Sequence, residues 1–412
     1  MLKRFAAKRY KNVETEGLSF ARVTVLVGPN NGGKSNLIEA LRFYSDVVHF
    51  EGEGSAFLGV VEKRGYGEVL RRGVERPGTI ELRWEHAIGP DRQVAIDLAF
   101  RVAKSEQFPT GFVVTRDSLV CWDPSSSCKI ERHIDTSKPG EYVGILRRSQ
   151  DADEERYWAK LAQSDFYASA NNKAKLPFPE RSDGDYPILW DRNWASSLHR
   201  SSHFVGSLLL PQTIAVSAKR NLSITHLDDT GAELVNVLNN LERKHNDFLI
   251  PYEDRLREAL PTLERIRIDD VSDQYKSMKL RLDGEWFRLD ELSEGTLKML
   301  ALALLFFTPE KTAFLSIDEP ELNLHPAWLR VIGKWMLGAT GADQVLVSTH
   351  SPELLDALTE GFKSGEVALI VCDAKKGFRN VQVTDLDSFF QEGWELGDLY
   401  RVGEPQLGGW PW

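Results

Sequence analysis

A glycine-rich segment near the N-terminus constrains the fold of this chain more than any other feature. It reads Gly28-Pro29-Asn30-Asn31-Gly32-Gly33-Lys34-Ser35 and fits the pattern G-x-x-x-x-G-K-[ST]. The segment follows the β-branched run Val23–Val27, which predicts a buried strand, and precedes residues 36–48, whose apolar spacing predicts a helix. A phosphate-binding loop requires this order of strand, glycine turn and helix. Residues 28–35 are therefore predicted to form a P-loop.

The chemistry of such a loop assigns roles to its residues. Glycines let backbone N–H groups turn inward around phosphates, and the positive end of the helix dipole near Gly33 points at the same place. Lys34 is expected to bridge the β- and γ-phosphates of a nucleotide, and Ser35 is expected to ligate Mg²⁺. The predicted nucleotide-binding residues of the loop are Gly28, Asn30, Asn31, Gly32, Gly33, Lys34, Ser35 and Asn36.

Two adjacent acids end a second apolar run. Residues 313–317 (AFLSI) are followed by Asp318, Glu319 and Pro320. Asp318 is placed at the carboxyl end of a predicted strand, where sites in α/β proteins collect, and is expected to hold Mg²⁺. Glu319 is the residue predicted to polarise an attacking water. Because side chains alternate along a strand, the two acids need not compete for one role.

Two shorter motifs complete the set. Residues 292–296 (LSEGT) precede the apolar segment 297–307. A serine and a glycine at a helix start offer a hydroxyl and free N–H groups to an anion, although an ordinary N-cap explains the motif when it is taken alone. Val345–Ser348 predicts a strand that leads into Thr349-His350-Ser351-Pro352, and Pro352 is suited to start a helix. His350 is therefore expected at the same sheet edge as Asp318.

Composition limits the classes of function. The chain has 412 residues and a net charge of −10, which argues against a wholly basic nucleic-acid-binding surface. Either a local basic patch or a solvated edge strand explains the cations at the N-terminus, which are Lys3, Arg4, Lys8, Arg9 and Lys11. No signal peptide or metal-binding cysteine spacing is present, and the longest apolar run, 299–307, is far shorter than the roughly 20 residues of a membrane span. A soluble cytoplasmic protein without a membrane partner is expected.

The four motifs, in this order, resemble the Walker A, signature, Walker B and switch-histidine motifs of ABC ATPases. The stretch 318–326 reads DEPELNLHP and is similar to the DEPE-x-x-LHP of bacterial AAA-type predicted ATPases in the SMC/RecF/OLD-like branch. The resemblance covers most of the chain outside about 123–205. It implies an α/β fold: an ABC ATPase head, with a P-loop parallel sheet and an antiparallel β layer, plus a helical lobe and an irregular insertion.

The resemblance also implies a shared site. In such proteins two heads pack head to tail around two ATP molecules, so the expected assembly is a homodimer or higher oligomer that uses ATP and Mg²⁺. Glu319 and His350 are then the catalytic residues, and Lys11 would contact the α-phosphate. The partner head would supply the signature residues Ser293, Gly295 and Thr296. The glutamine of the Q-loop is not identified.

The expected organisation has four segments. Residues 1–122 form an ATPase lobe with the P-loop, and 123–205 form an insertion that is either a surface excursion or a contact element for DNA or a partner. Residues 206–290 form a helical and β lobe, and 291–412 form an ATPase lobe with a parallel sheet. Within the third segment, 232–260 predicts a helix that Pro251 breaks or kinks and Pro261 ends.

Three functions compete. The preferred one is a nucleotide-gated switch or sensor for a separate effector, in bacterial anti-phage defence. The alternative is a RecF-like DNA-binding clamp in repair, which leaves nucleic acid as a partner. A transporter subunit is disfavoured by LSEGT and by the insertion. Several proteins of the kind that this sequence resembles carry a TOPRIM nuclease after the ATPase, whereas only 62 residues follow His350 in this sequence. We therefore expect no intrinsic nuclease and a nuclease-like activity in a separate protein.

Overall fold

The computed structural model describes residues 1–48, 61, 69, 79–88, 92–104, 112–123, 128–134, 204–205, 217–219, 224–227, 231–272, 275–373 and 375–408. They belong to two compact units. Residues 1–20, 30–199 and 372–380 delimit unit 1, and residues 21–29, 200–371 and 381–412 delimit unit 2. The sequence also predicts a helix at 155–161 and a strand at 208–216, and both lie outside the described residues. The division into four segments stays a prediction.

The first half of the chain contains mostly strands. They and the first helix are β1 (Leu2–Tyr10), β2 (Val13–Ser19), β3 (Val23–Val27), α1 (Lys34–Val48), β4 (Thr79–Ile88), β5 (Arg92–Lys104), β6 (Phe112–Asp123) and β7 (Cys128–Ile134). In unit 1, six of these strands form an antiparallel sheet in the order β2-β1-β4-β5-β6-β7. This is the antiparallel β layer that the resemblance to ABC ATPase heads implied.

Aromatic side chains join this sheet to α1. Phe43 of α1 stacks on Phe100 of β5 with ring centroids 5.1 Å apart, and it meets the edge of Tyr10 of β1. The indole of Trp84 in β4 donates to the carbonyl oxygen of Leu41 at 3.3 Å. The burial of these rings fixes the helix that carries the second half of the P-loop.

The second half alternates helices and strands. Its elements are β8 (Phe204–Val205), β9 (Ser217–Lys219), α2 (Leu234–Lys244), α3 (Leu249–Arg257), β10 (Leu263–Ser272), β11 (Tyr275–Leu282), β12 (Glu285–Arg288), α4 (Glu294–Phe307), β13 (Leu315–Asp318), α5 (Pro326–Leu337), β14 (Val345–Ser348), α6 (Pro352–Lys363), β15 (Val367–Asp373), β16 (Gly377–Val381), α7 (Asp387–Gln391) and α8 (Leu396–Val402). Among the described residues, no helix has both the length and the apolar character needed to cross a bilayer.

The core of unit 2 contains a parallel sheet in the order β15-β3-β14-β13-β8. Val25 of β3 pairs with Val347 on one side and with Leu369 on the other. Every residue of β3 is buried, as expected for a strand with two neighbours and two covered faces. The parallel sheet that was predicted for the ATPase head is therefore confirmed.

The segment 232–260 differs from its prediction. The helix is interrupted at residues 245–248, before Pro251, so the segment forms two helices, α2 and α3. Asp247 adopts a φ of 64°, and the carboxylate of Glu242 accepts a hydrogen bond from the backbone N–H of Leu249 at 2.7 Å, in the first turn of α3. Pro251 lies in that same first turn, where a missing N–H costs nothing. The expectation that Pro251 breaks the helix was wrong.

Candidate nucleotide site

The P-loop has the backbone that its glycines predict. β3 ends at Val27 and α1 begins at Lys34. Gly28 has a φ of 139° and Gly33 a φ of 102°, a region that L side chains rarely adopt. A Cβ at Gly33 would lie 2.8 Å from the amide oxygen of Asn12 and 2.8 Å from the ring of Phe378, both in unit 1. Only glycine fits this position.

The side chains of the loop differ in exposure. Asn30, Asn31 and Ser35 are not buried, whereas Lys34 is buried with 6% of its surface accessible. Desolvation raises the pKa of the buried Cys372 thiol above its usual range, and the charge of Lys34 lowers it by a smaller amount. Because Ser35 is exposed, a ligand can reach it, as a phosphate-bound Mg²⁺ would require.

Asn12 braces the loop from the turn between β1 and β2. Its amide nitrogen donates to the carbonyl oxygen of Asn31 at 3.5 Å, and its oxygen accepts from the amide nitrogen of Asn36 at 2.8 Å. Asn36 was predicted to touch nucleotide, and here its amide is engaged with Asn12. These two hydrogen bonds of Asn12 were not predicted, although the sequence indicates a turn at Tyr10-Lys11-Asn12.

Lys11 lies in the same turn with a φ of 47°. Its ammonium pairs with the carboxylate of Glu39 in α1, and 16% of its side chain is accessible. The predicted contact between Lys11 and an α-phosphate stays a prediction. A nucleotide at that position would compete with Glu39 for the ammonium.

The acids after β13 are held by the neighbouring strand β14. The hydroxyl of Ser348 donates a short hydrogen bond to one oxygen of Asp318. The backbone N–H of Glu319 lies 3.1 Å from both the carbonyl oxygen and the hydroxyl of Ser348, and Glu319 has a φ of 49°. Ser348 thus orients both acids, and sequence reasoning did not single it out.

The two side chains predicted to hold Mg²⁺ belong to different units. Asp318, in unit 2, offers a half-buried carboxylate, and Ser35, in unit 1, is exposed. Both are hard oxygen donors of the kind that Mg²⁺ accepts together with phosphate oxygens and water. That they hold one ion stays a prediction.

His350 lies beside Glu319, as the sequence predicted for the two strand ends. Its Nε2 is 3.6 Å from a carboxylate oxygen of Glu319. Glu321 contacts the same region, because one of its oxygens accepts from the backbone N–H of His350 at 2.6 Å and from the hydroxyl of Thr349 at 2.8 Å. Burial raises the pKa of the Glu321 carboxyl. The phenol of Tyr400 in α8 lies 3.5 Å from Nδ1 of His350.

The signature segment opens α4. Ser293 is the exposed N-cap, and its hydroxyl accepts from the backbone N–H of Thr296 at 3.1 Å. A Cβ at Gly295 would lie 2.9 Å from the ring of Trp328 and 3.1 Å from the carbonyl oxygen of Asn323. The glycine therefore permits close packing of α4 against the loop that follows Glu319 and against Trp328.

One buried cation near this loop was missed. Lys298 is 1% exposed, and its ammonium lies 2.9 Å from the carbonyl oxygen of Leu322 and 3.5 Å from that of Glu319. Burial lowers its pKa to about 8, against smaller opposing effects of Glu321 and Glu319. A single lysine inside the apolar segment 297–307 was the signal that could have indicated it.

Comparisons with known proteins agree with this architecture. A crystal structure of an SMC head bound to the C-terminal winged-helix domain of ScpA superposes with a TM-score of 0.50 at 14% identity, over 92% of this chain and 96% of that one. The OLD nuclease of Escherichia phage P2 is 25% identical over 197 residues, which are 45% of this chain and 31% of the phage protein. The match thus spans about a third of the phage protein.

Fold and motifs together define a P-loop ATPase head of the SMC and OLD type. The model of the family described as "AAA domain, putative AbiEii toxin, Type IV TA system" matches residues 23–356. The chain belongs to that family. The matched residues include the whole P-loop, the signature segment, both acids and His350.

Proposed function

We propose that this ATPase closes into a head-to-tail dimer on binding ATP and acts as a nucleotide-gated switch for a separate effector in anti-phage defence. The observation that carries hydrolysis is the 3.6 Å approach of Nε2 of His350 to a carboxylate oxygen of Glu319, directly after Asp318. A carboxylate and an imidazole at the carboxyl ends of two neighbouring strands can orient a water and contact a phosphate.

Each residue of the proposed site has a separate role in ATP hydrolysis. Lys34 and the N–H groups of the P-loop would bind the phosphates, and Ser35 and Asp318 are the residues that would hold Mg²⁺. When bound, this ion neutralises charge on the β- and γ-phosphate oxygens. A carboxylate oxygen of Glu319 accepts a hydrogen bond from the attacking water and orients it, and His350 donates from Nε2 to the γ-phosphate.

Dimerisation is supported by the exposed start of α4. Ser293 presents its hydroxyl at the positive end of the α4 dipole, where an anion is favoured. We assign this anion to the γ-phosphate bound by the other head. The N–H of Gly295 would donate to it, and Thr296, whose N–H donates to the hydroxyl of Ser293, would hold that serine in place.

A separate effector is supported by the relatives. The SMC head of similar fold was crystallised bound to a domain of another protein, ScpA. The phage P2 relative is named a nuclease, and the family description names a putative toxin of a type IV toxin–antitoxin system. We propose that this chain drives a nuclease-like partner and that the output serves defence.

A second candidate is the DNA clamp, favoured by the exposed cations of β1. Lys3, Arg4, Lys8 and Arg9 are all exposed on that strand. A clamp would bind duplex DNA in the presence of ATP with an affinity that falls steeply with salt, because phosphate contacts release counterions. Fluorescence anisotropy with duplex DNA between about 50 and 200 mM salt separates the two functions, since a switch without a DNA role shows no such binding.

Glu319→Gln tests the proposed function. The variant is expected to bind ATP, to lose turnover and to accumulate as a dimer, because nucleotide binding remains and water activation is lost. Light scattering with ATP measures the dimer, and phosphate release measures turnover. Glu360→Gln in α6 is a control, since Glu360 is exposed and pairs with Lys363. Hydrolysis by Glu319→Gln at the parental rate would contradict the assignment of Glu319.

A further inference from the structure

The carboxylate of Glu321 reaches a buried position at a cost that its contacts only partly offset. One carboxylate oxygen accepts the hydrogen bonds from Thr349 and His350. The other oxygen is buried and has no hydrogen-bond partner among the residues that the structure describes. A buried acceptor without a donor lowers the stability of the fold. An apolar residue at position 321 would avoid this cost. The carboxylate instead accepts a hydrogen bond from the backbone N–H of His350 and so holds that backbone in place.

Tyr400 contacts the ring of the same histidine. Its hydroxyl lies 3.5 Å from Nδ1, at the long end of the hydrogen-bonding range. A phenol can donate to an unprotonated Nδ1 or accept from a protonated one. Because Nε2 faces the carboxylate of Glu319 at 3.6 Å, and a carboxylate only accepts, the arrangement favours the tautomer with its proton on Nε2 and the phenol donating to Nδ1. Burial, and then the charge of Glu321, raise the pKa of Tyr400, so its hydroxyl keeps the proton that it donates. Nε2 is the atom that faces Glu319.

The helix that carries Tyr400 is fixed to the helix that follows His350. The N–H of Leu396 donates to the hydroxyl of Thr359 in α6 at 3.0 Å, and Arg401 donates to Asp356 in α6 at 2.9 Å. A Cβ at Gly397 would overlap the carbonyl oxygen of Pro352, which shows how closely the two helices approach. Since α6 begins at Pro352, this packing holds Tyr400 in register with His350.

We propose that Glu321 and Tyr400 are positioning residues for His350. Glu321 fixes its backbone, and Tyr400 selects the tautomer whose Nε2 carries the proton, so that Nε2 donates to the γ-phosphate. The second half of this statement rests on the proposed function, whereas the tautomer itself does not. The orientation follows the same logic as other histidines whose role is set by a partner on the opposite ring nitrogen.

Nitrogen NMR of the histidine rings tests the tautomer without any turnover. In protein labelled with ¹⁵N-histidine, His350→Gln identifies the signal of His350. The parent is expected to show the Nε2–H form, and Tyr400→Phe a mixture of both forms. Tyr252→Phe is the matched control, because Tyr252 is also buried but donates to the carbonyl oxygen of Leu300 at 2.6 Å. A parental Nδ1–H form, or a spectrum unchanged in Tyr400→Phe, would overturn the proposal.

Kinetics test the consequence for hydrolysis. Tyr400→Phe is expected to lower kcat by about 10-fold or more, because loss of tautomer control in a catalytic histidine is costly, with the KM for ATP nearly unchanged. Glu321→Leu is expected to lower kcat more than Glu321→Gln, which keeps an acceptor oxygen. In a His350→Gln background neither Tyr400→Phe nor Glu321→Leu should reduce the remaining rate further.

Two results would have different meanings. If Tyr400→Phe lowers kcat by the same factor in the parent and in the His350→Gln background, the positioning role of Tyr400 is overturned. The effect of Tyr400 would then not depend on the histidine. Parental hydrolysis by His350→Gln would instead contradict the proposed function, and the NMR result for the tautomer would stand. Circular dichroism and urea unfolding of each variant show whether the fold is kept.

Discussion

The ammonium of Lys298 lies 2.9 Å from the carbonyl oxygen of Leu322. This contact joins the second turn of α4, the helix that the signature segment opens, to the loop that follows the acids of β13. The lysine is 1% exposed, so its charge is stabilised by carbonyl oxygens and by the nearby carboxylates rather than by water. Its removal takes this donor away from the carbonyl oxygens of Leu322 and Glu319.

Stability should depend on pH through Lys298. Its pKa falls to about 8 in the folded state from an ordinary value of 10.5. Between these values the unfolded chain binds more protons, so this lysine makes the folded state more stable as pH rises. From about pH 7.5 to about pH 10 the parent should gain about 2 kcal/mol relative to Lys298→Met. Urea unfolding at both pH values measures the difference. Lys334→Met, at an exposed position of α5, should leave the pH dependence unchanged.

Ser348 should control the Mg²⁺ requirement. Its hydroxyl donates to Asp318 and accepts from the N–H of Glu319. Ser348→Ala removes the group that orients the carboxylate, and we expect the Mg²⁺ concentration for half-maximal ATP hydrolysis to rise about 10-fold, as for other residues that support a metal ligand. Ser316→Ala is the control, because Ser316 is buried on β13 and its hydroxyl has no partner in the described part of the chain. An unchanged Mg²⁺ titration in Ser348→Ala would refute this role.

Gly33→Ala should abolish nucleotide binding through two effects. The φ of 102° strains any L residue, and the new Cβ would lie 2.8 Å from Asn12 and Phe378. Gly365→Ala separates these effects, because Gly365 has a φ of 80° with nothing within 4 Å of an added Cβ. Gly365→Ala should cost about 1–2 kcal/mol of unfolding free energy and leave ATP affinity intact. Gly33→Ala should cost more and lose ATP affinity in a fluorescent-nucleotide titration.

Mixing two inactive variants tests the shared site. Lys34→Ala removes phosphate binding in one head, and Ser293→Arg blocks the signature that the head offers to its partner. Each variant alone is expected to be inactive. A mixed dimer keeps one site with the parental Lys34 and Ser293, so mixing should restore part of the ATPase activity. Absence of recovery, once mixed dimers are demonstrated by affinity tags, would count against a site shared between heads.

The sequence predicted those features whose cause is local. The run Val23–Val27 is the strand β3 with the predicted bounds, because five apolar or β-branched residues between a turn and a glycine loop favour a buried strand. The parallel order of β3, β13 and β14 followed from the alternation of strands and helices. These are the elements that carry the P-loop, Asp318 and His350.

Features set by particular side-chain and strand contacts were not predicted. The break between α2 and α3 depends on Glu242 reaching the N–H of Leu249, and proline was only the more visible signal. The strand β12 (Glu285–Arg288) is short and mostly exposed, and it exists because it pairs with β11. Tyr400 reaches His350 only because α8 packs on α6, and no spacing in the sequence indicates that.

The position of β3 has a consequence for synthesis of the chain on the ribosome. This strand is made among the first residues, yet both of its neighbours, β14 and β15, follow roughly 300 residues later. At about 5–20 residues per second, the backbone N–H and C=O groups along both edges of β3 stay unpaired for tens of seconds. Until then they can pair with other chains. We expect nascent or truncated forms that end before residue 345 to depend on chaperones, whatever the stability of the finished head.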